Sequence, residues 1–325
     1  MHNQTRKYID YLLIGIKGIA MGAADVVPGV SGGTIAFISG IYEELLNSIK
    51  SLNLKAVKIL FKSGIKDFWK AINGNFLAAL IIGIAISILS LARAILFLLE
   101  NFPIHLWSFF FGLILASAFI VASDIKKWTP GVLASVFIGT AIAYTITIIS
   151  PAETTTAHWF VFLSGAIAIC AMILPGISGS FILLLMGKYE FILSALKDLN
   201  ITVILVFIAG CISGLLGFSH LLSWTFSKYR NITIGLLAGF MMGSLNKVWP
   251  WKETLQWRIN SKGIEVPFLQ ENVLPGDFEK IYNEPSYLAA ALLLFIFGFL
   301  IIYLLEKFIE KKLPAKLIRK ESFVA

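Results

Sequence analysis

Apolar residues run along this chain in long blocks instead of alternating, and blocks near 75–98, 104–123, 130–149, 201–224, 231–246 and 286–306 each predict a spanning helix. A helix needs about twenty apolar residues to cross a hydrocarbon core of about 30 Å. Two further apolar regions, 9–49 and 158–196, differ because each is interrupted by a Pro-Gly step flanked by Ser and Gly. Proline cannot donate a backbone hydrogen bond, so each region predicts two half-helices meeting at an unwound turn.

Composition agrees with this pattern. Of the 325 residues, 58% are apolar and 14% charged, whereas about a quarter are charged in soluble domains. A water-soluble fold, disorder and a coiled coil are excluded. The 26 Phe and 26 Gly suit helices packed closely in lipid. Cys170 and Cys211 lie in apolar runs, without a CxxC spacing, so neither a disulfide framework nor a metal site is expected. No cofactor and no nucleic-acid partner is expected either.

The net charge of +8 is read as the Lys/Arg excess of cytoplasmic loops. If both broken regions are re-entrant hairpins, one side of the membrane receives the N-terminus, segment 50–74, Lys126, Lys127, Lys228, Arg230 and the C-terminal tail. That side holds 18 of the 27 Lys and Arg. The other side receives 150–157, which has none, and 247–285, whose five are offset by six Asp and Glu. Both termini are therefore expected in the cytoplasm. A cleaved signal peptide fits poorly, because Lys17 interrupts the first apolar stretch.

The broken regions repeat one another. Setting Pro28 against Pro175 aligns PGVSGG with PGISGS and pairs Gly40 with Gly187, Tyr42 with Tyr189, Glu43 with Glu190, Lys50 with Lys197 and Asn53 with Asn200. The match resumes at an offset of 127 residues through Gly83/Gly210, Gly112/Gly239 and Ser117/Ser244, leaving 54–73 as an insertion in the first copy. Its lysines alternate with apolar residues at helical spacing, which predicts an amphipathic helix on an anionic inner surface. The expected fold is all-α and polytopic: two repeats, 1–150 and 151–325, each one re-entrant hairpin plus three transmembrane helices. Three crossings invert the second copy, an architecture of secondary transporters.

Candidate chemistry concentrates at the two turns, Pro28, Gly29, Ser31, Gly32, Gly33 and Thr34 in the first, and Pro175, Gly176, Ser178, Gly179 and Ser180 in the second. Backbone N–H groups beginning a half-helix favour an anion, and Gly lets a phosphate approach the backbone. The alternative is a bare re-entrant turn with a Ser cap. Charges within apolar spans are costly and hence functional candidates. Arg93 and His220 occupy matching positions of the two copies and would pair with a phosphate. Asp25, opposite Met172, is either a proton or sodium site or a counter-ion to Arg93. Glu43 and Glu190 are coupling or gating groups, or interfacial anchors. Lys17 and His158 are weaker candidates.

With PGVSGGT at 28–34 and PGISGS at 175–180, each followed by Gly-x-Tyr-Glu, the chain resembles the bacterial polyprenyl-phosphate transporters. The resemblance implies a multi-pass protein of the cytoplasmic membrane that returns undecaprenyl phosphate from the outer to the inner leaflet. A long tail stays in lipid while the turns shield the phosphate. The alternative is a phosphatase of the corresponding pyrophosphate, whose turn resembles PGxSRS. Gly179 stands where that motif has its Arg, and no Glu-x-x-x-Glu pair lies near either turn, the one at Glu306 and Glu310 being close to the C-terminus. An ion channel lacks a recognisable filter segment.

Overall fold

A computed structural model describes residues 6–26, 30–149, 154–259 and 265–312. Each half begins with the same series of elements. The first half holds α1 (Tyr8–Val26), α2 (Gly32–Ile38), α3 (Tyr42–Ser51), α4 (Leu54–Ser63), α5 (Ile65–Ala71), α6 (Gly74–Asn101), α7 (Pro103–Ser123) and α8 (Pro130–Ile148). The second holds α9 (His158–Ile173), α10 (Gly179–Leu185), α11 (Tyr189–Lys197), α12 (Ile201–Lys228) and α13 (Arg230–Ser244). Strands β1 (Lys252–Ile259) and β2 (Glu265–Asn272), then α14 (Pro275–Tyr282) and α15 (Leu288–Lys312), complete it. The chain is a mostly helical, multi-pass membrane protein.

Helices α6, α7, α8 and α12 are long and apolar enough to cross a bilayer. The apolar part of α15 is shorter, Leu288–Leu304, and α13 has 15 residues, about 22 Å at 1.5 Å per residue. Most of α13 is buried in the protein, so its apolarity reflects contact with other helices as much as with lipid.

The chain divides into two compact units, and each draws on both halves of the sequence. The first comprises 1–97 and 151–224. It holds both broken regions and most of α6 and α12. Glycine sets the helix spacing there: a Cβ on Gly83 would lie 2.1 Å from the Gly15 carbonyl, and one on Gly210 would lie 2.0 Å from the Phe162 carbonyl. The 127-residue offset that pairs Gly83 with Gly210 thus pairs two positions with the same packing duty, α6 on α1 and α12 on α9. The second unit comprises 98–150 and 225–325. Here α7 packs on α15 and α13 on α8, so each contact joins a helix of one half to a helix of the other.

The expectation of an all-helical chain is corrected by β1 and β2, which pair antiparallel with Lys252 opposite Asn272 and Ile259 opposite Glu265. They fall in 247–285, where Leu255, Trp257 and Ile259 alternate with Gln256 and Arg258 instead of following helical spacing. Trp249 and Trp251 fasten this segment: their indole N–H groups donate to the carbonyls of Val273 (2.8 Å) and Ser286 (2.9 Å), and Trp251 is buried with Ile104 of α7 and Ala291 of α15. Lys252 sits 4.2 Å above the centre of the Trp107 ring and donates to the Lys247 carbonyl at 2.7 Å. Burial, and the charge of Lys247 beside it, hold the Lys252 ammonium well below the usual lysine pKa.

Candidate functional site

The two turns meet inside the first unit. Ser31 begins α2 as its N-cap, with its Oγ accepting the Gly33 N–H at 3.0 Å. The same hydroxyl lies 3.1 Å from the Leu174 carbonyl and 3.2 Å from that of Met172, at the end of α9. Thr34, fully buried, accepts the Gly176 N–H at 3.0 Å, and the Tyr42 hydroxyl donates to the Ile173 carbonyl at 3.1 Å. Ser31, Thr34 and Tyr42 of the first copy therefore hold the backbone of 172–176 in the second. Pro28 and Gly29 lie outside the described residues.

At the first turn the N–H groups expected to await an anion already have partners. Asp25 Oδ1 accepts the Gly32 N–H at 2.7 Å, Ser31 takes that of Gly33, and the Thr34 N–H donates to the Ser31 carbonyl at 3.0 Å. A carboxylate thus occupies the anion position of this turn. Asp25 and Arg93 form no ion pair in the structure, so the counter-ion alternative has no contact behind it.

The second turn is different because Met172 replaces the carboxylate. Pro175, Gly176, Ser178 and Gly179 are buried and Ser180 half-buried. Gly176 has φ = +85°, a left-handed conformation that favours glycine. The Ser178 and Ser180 hydroxyls lie 2.9 Å apart. Among the described residues no acceptor is recorded for the Gly179 and Ser180 N–H groups.

Packing explains much of the glycine requirement. A Cβ on Gly32 would come 2.5 Å from Asp25 Oδ2, one on Gly33 2.5 Å from the Ile173 carbonyl, and one on Gly179 2.6 Å from the Ala168 carbonyl. At Gly33 and Gly179 the obstacle is backbone, which cannot swing aside.

Arg93 and His220 lie on α6 and α12 with exposed side chains, and neither hydrogen-bonds to the turns. His220 Nδ1 is 2.8 Å from the Leu216 carbonyl of its own helix. Helix register nevertheless sets their depth. Contacts advance together from Gly15 beside Ala79 to Gly22 beside Ile84 and Ser87, so α1 and α6 run parallel. Continuing that register past Ser87 carries Arg93 about one helical turn beyond the level of Val26. On the other side Phe162 meets Gly210 and Ala166 meets Gly214, which brings His220 to the level of Met172.

Glu43 is exposed and Glu190 half-buried, each in the first turn of its helix, α3 and α11. A neighbour of Glu43 has the clearer role: Glu44 receives Arg6 through both carboxylate oxygens, at 2.6 and 2.7 Å. Lys17 donates to the Ser39 carbonyl at the end of α2, at 2.7 Å. His158 opens α9. Two residues escaped the sequence reading. Lys188 is buried, donates to the Thr154 carbonyl at 3.0 Å and lies 5.5 and 5.4 Å from the Phe160 and Phe191 ring centres. A lysine inside an apolar region was the available signal. Ser87 is buried with no hydrogen-bond partner for its hydroxyl, and nothing in the sequence marks it out.

A shallow cleft lined by Thr129, Val132, Lys228, Tyr229, Arg230, Asn231 and Ile232 belongs to the second unit and includes none of the expected site residues. Among the described residues no cluster of three His, Cys, Asp or Glu groups could hold a metal ion.

Residues 21–266 match the VCA0040-like family, described as undecaprenyl phosphate translocase-like. A polyprenyl-phosphate transporter of Vibrio cholerae is 49% identical over 305 residues, covering 94% of this chain and 99% of the relative. One of Staphylococcus aureus is 34% identical over 267 residues, covering 76% of this chain and 88% of the relative. No solved structure matches the chain.

Proposed function

Since the chain belongs to the undecaprenyl phosphate translocase-like family, we propose that it moves a polyprenyl phosphate, undecaprenyl phosphate foremost, from the outer to the inner leaflet of the bacterial cytoplasmic membrane. The observation that carries this reading is the contact between two broken-helix turns, one sealed by its own carboxylate and the other with unclaimed N–H donors. Carrying a phosphate through hydrocarbon requires polar groups that replace its hydration while the isoprenoid tail stays in lipid. Gly179, Ser180 and the hydroxyls of Ser178 and Ser180 supply donors at the second turn. Arg93, exposed about one helical turn beyond the level of Val26, meets a headgroup arriving sideways from the bilayer, and His220 does so on the equivalent helix. When the phosphate engages the first turn it displaces Asp25 from Gly32. Transport is thereby coupled to whatever then neutralises that carboxylate, a proton or a sodium ion.

Re-entrant hairpins are supported by what closes them. Arg6, just before α1, meets Glu44 on α3, so the chain has returned to its starting side within one broken region. Thr154, just before α9, meets the Met186 carbonyl at the end of α10 and the Lys188 ammonium, and α10 and α11 are bent by 104°. With the loop charges, this reading puts both termini in the cytoplasm and 247–285 outside. The exchange of partners in the second unit, α7 with α15 and α13 with α8, is the pattern two inverted repeats would make. A phosphatase is disfavoured because the relatives are named transporters and Gly179 leaves no Arg for a leaving phosphate.

The reading is tested by equilibrium binding to the purified protein in nanodiscs, comparing a short-chain polyprenyl phosphate with the polyprenol of the same length. The phosphate should bind and the alcohol should not, and Ser178→Ala with Ser180→Ala should weaken the phosphate alone. Equal binding of phosphate and alcohol would overturn a phosphate site at the turns.

A further inference from the structure

Helices α4 and α5 have no counterpart in the second half and take no part in the site. In these helices each of five exposed apolar residues is followed immediately by a lysine: Leu54-Lys55, Val57-Lys58, Phe61-Lys62, Ile65-Lys66 and Trp69-Lys70. Successive helical residues are about 100° apart, so an apolar row and a cationic row run side by side along each helix. The exposure is large, with Leu54 80%, Phe61 83% and Ile65 73% exposed. The opposite side faces the protein, where Ala56 is buried and Ile59, Leu60 and Phe68 are half-buried.

The pair is fixed at its ends. Asn53 caps α4 by accepting the N–H groups of Lys55 (2.9 Å) and Ala56 (3.3 Å). After α5, the Asn73 amide donates to Glu44 Oε1 (2.8 Å) and Ser48 Oγ (3.1 Å) on α3. Glu44 is also the partner of Arg6, so these helices are tied to the point where the first broken region closes. Gly64, with φ = +85°, turns the chain between them.

We propose that α4 and α5 form an interfacial anchor that seats in an anionic lipid surface. Charge complementarity identifies the occupant: five lysines border the apolar row and Asp67 is the one acid in 54–71. Lysine stems cover the apolar surface while their ammonium groups reach the headgroups, and a polybasic face of this kind is drawn to anionic lipid. The anchor holds the cytoplasmic mouth of the first unit at the leaflet surface. It stands apart from the transport reading and is measured without substrate.

The test uses the full chain with Cys170 and Cys211 replaced by Ala. Single spin labels at Phe61→Cys, Ile65→Cys and, for comparison, the exposed Glu271→Cys are reconstituted in phosphatidylcholine vesicles with or without phosphatidylglycerol. Labels at 61 and 65 should be accessible to oxygen and shielded from a water-soluble nickel chelate, and phosphatidylglycerol should deepen them. Replacing all five lysines with Gln should abolish that lipid-dependent shift while the melting temperature holds. If labels at 61 and 65 meet the chelate as freely as the label at 271 in both lipids, the anchor is refuted. Equal shielding in detergent, growing with protein concentration, would instead assign the face to a second copy of the chain and equally overturn the proposal.

Discussion

Replacing Asp25 with Asn removes one negative charge yet keeps an oxygen able to accept the Gly32 N–H, now made at 2.7 Å. A hydrogen bond to a charged group contributes about 1.5–3 kcal/mol and a neutral one about 0.5–1.5, so the fold should lose only about 1 kcal/mol. The electrostatic effect on substrate is larger. A phosphate charge about 6 Å from the carboxylate, at an effective dielectric near 20, is repelled by about 3 kcal/mol, or roughly two decades in affinity. Asp25→Asn should therefore bind a short-chain polyprenyl phosphate more tightly, by up to about a hundredfold in nanodiscs. In vesicles its transport should slow and lose dependence on an imposed proton or sodium gradient, because Asn cannot exchange a cation for the substrate. Asp25→Ala is less clean, since an unpartnered Gly32 N–H costs about 1–3 kcal/mol of stability. A well-folded Asn variant with unchanged or weaker phosphate binding would refute the displacement of Asp25.

Arg93→Ala should abolish transport while preserving the melting temperature, because its side chain is exposed; Arg93→Lys should keep part of it, having charge without the bidentate fork. Only a milder loss is expected for His220→Ala, as its ring Nδ1 already lies 2.8 Å from the Leu216 carbonyl of its own helix. Gly33→Val should fail through the fold, since its Cβ would meet the Ile173 carbonyl at 2.5 Å and overpacking typically costs about 1–3 kcal/mol; a normal melting temperature would show that the turns are not locked together. In intact cells, a cysteine at Glu265 should react with an impermeant maleimide and one at Leu60 should not, with the opposite pattern reversing the orientation.

Much of the arrangement is written in local chemistry. Pro175 and Gly176 fall between α9 and α10, because proline and glycine act on the backbone where they stand. Gly83 and Gly210 were legible as a pair for the same reason: only a residue without a side chain permits such close helix contact. The N–H groups of the first turn misled because their occupant, Asp25, is seven residues away, and sequence cannot show that the chain folds back on itself. The glycines suggest ligand approach in the sequence, whereas Gly33 and Gly179 also face neighbouring backbone whose position depends on tertiary packing. The hairpin at 252–272 is hard to read in the sequence because only 255–259 alternate, whereas Pro267 and Leu269 interrupt the pattern in the second strand. Lys188 is inconspicuous in the sequence because it stands at the variable place of a Gly-x-Tyr-Glu motif whose first copy has Ile41 there.

Movement of a lipid phosphate between leaflets tests the central claim most directly. A short-chain polyprenyl phosphate carrying a fluorophore on its tail is incorporated into vesicles containing the purified protein. An impermeant binder of exposed phosphate then reports the outer-leaflet fraction over time. The wild-type protein should redistribute the phosphate much faster than protein-free vesicles and leave the corresponding polyprenol unaffected, with Arg93→Ala near the protein-free rate. Redistribution no faster than in protein-free vesicles, from protein shown to be folded and to bind the phosphate, would contradict the account.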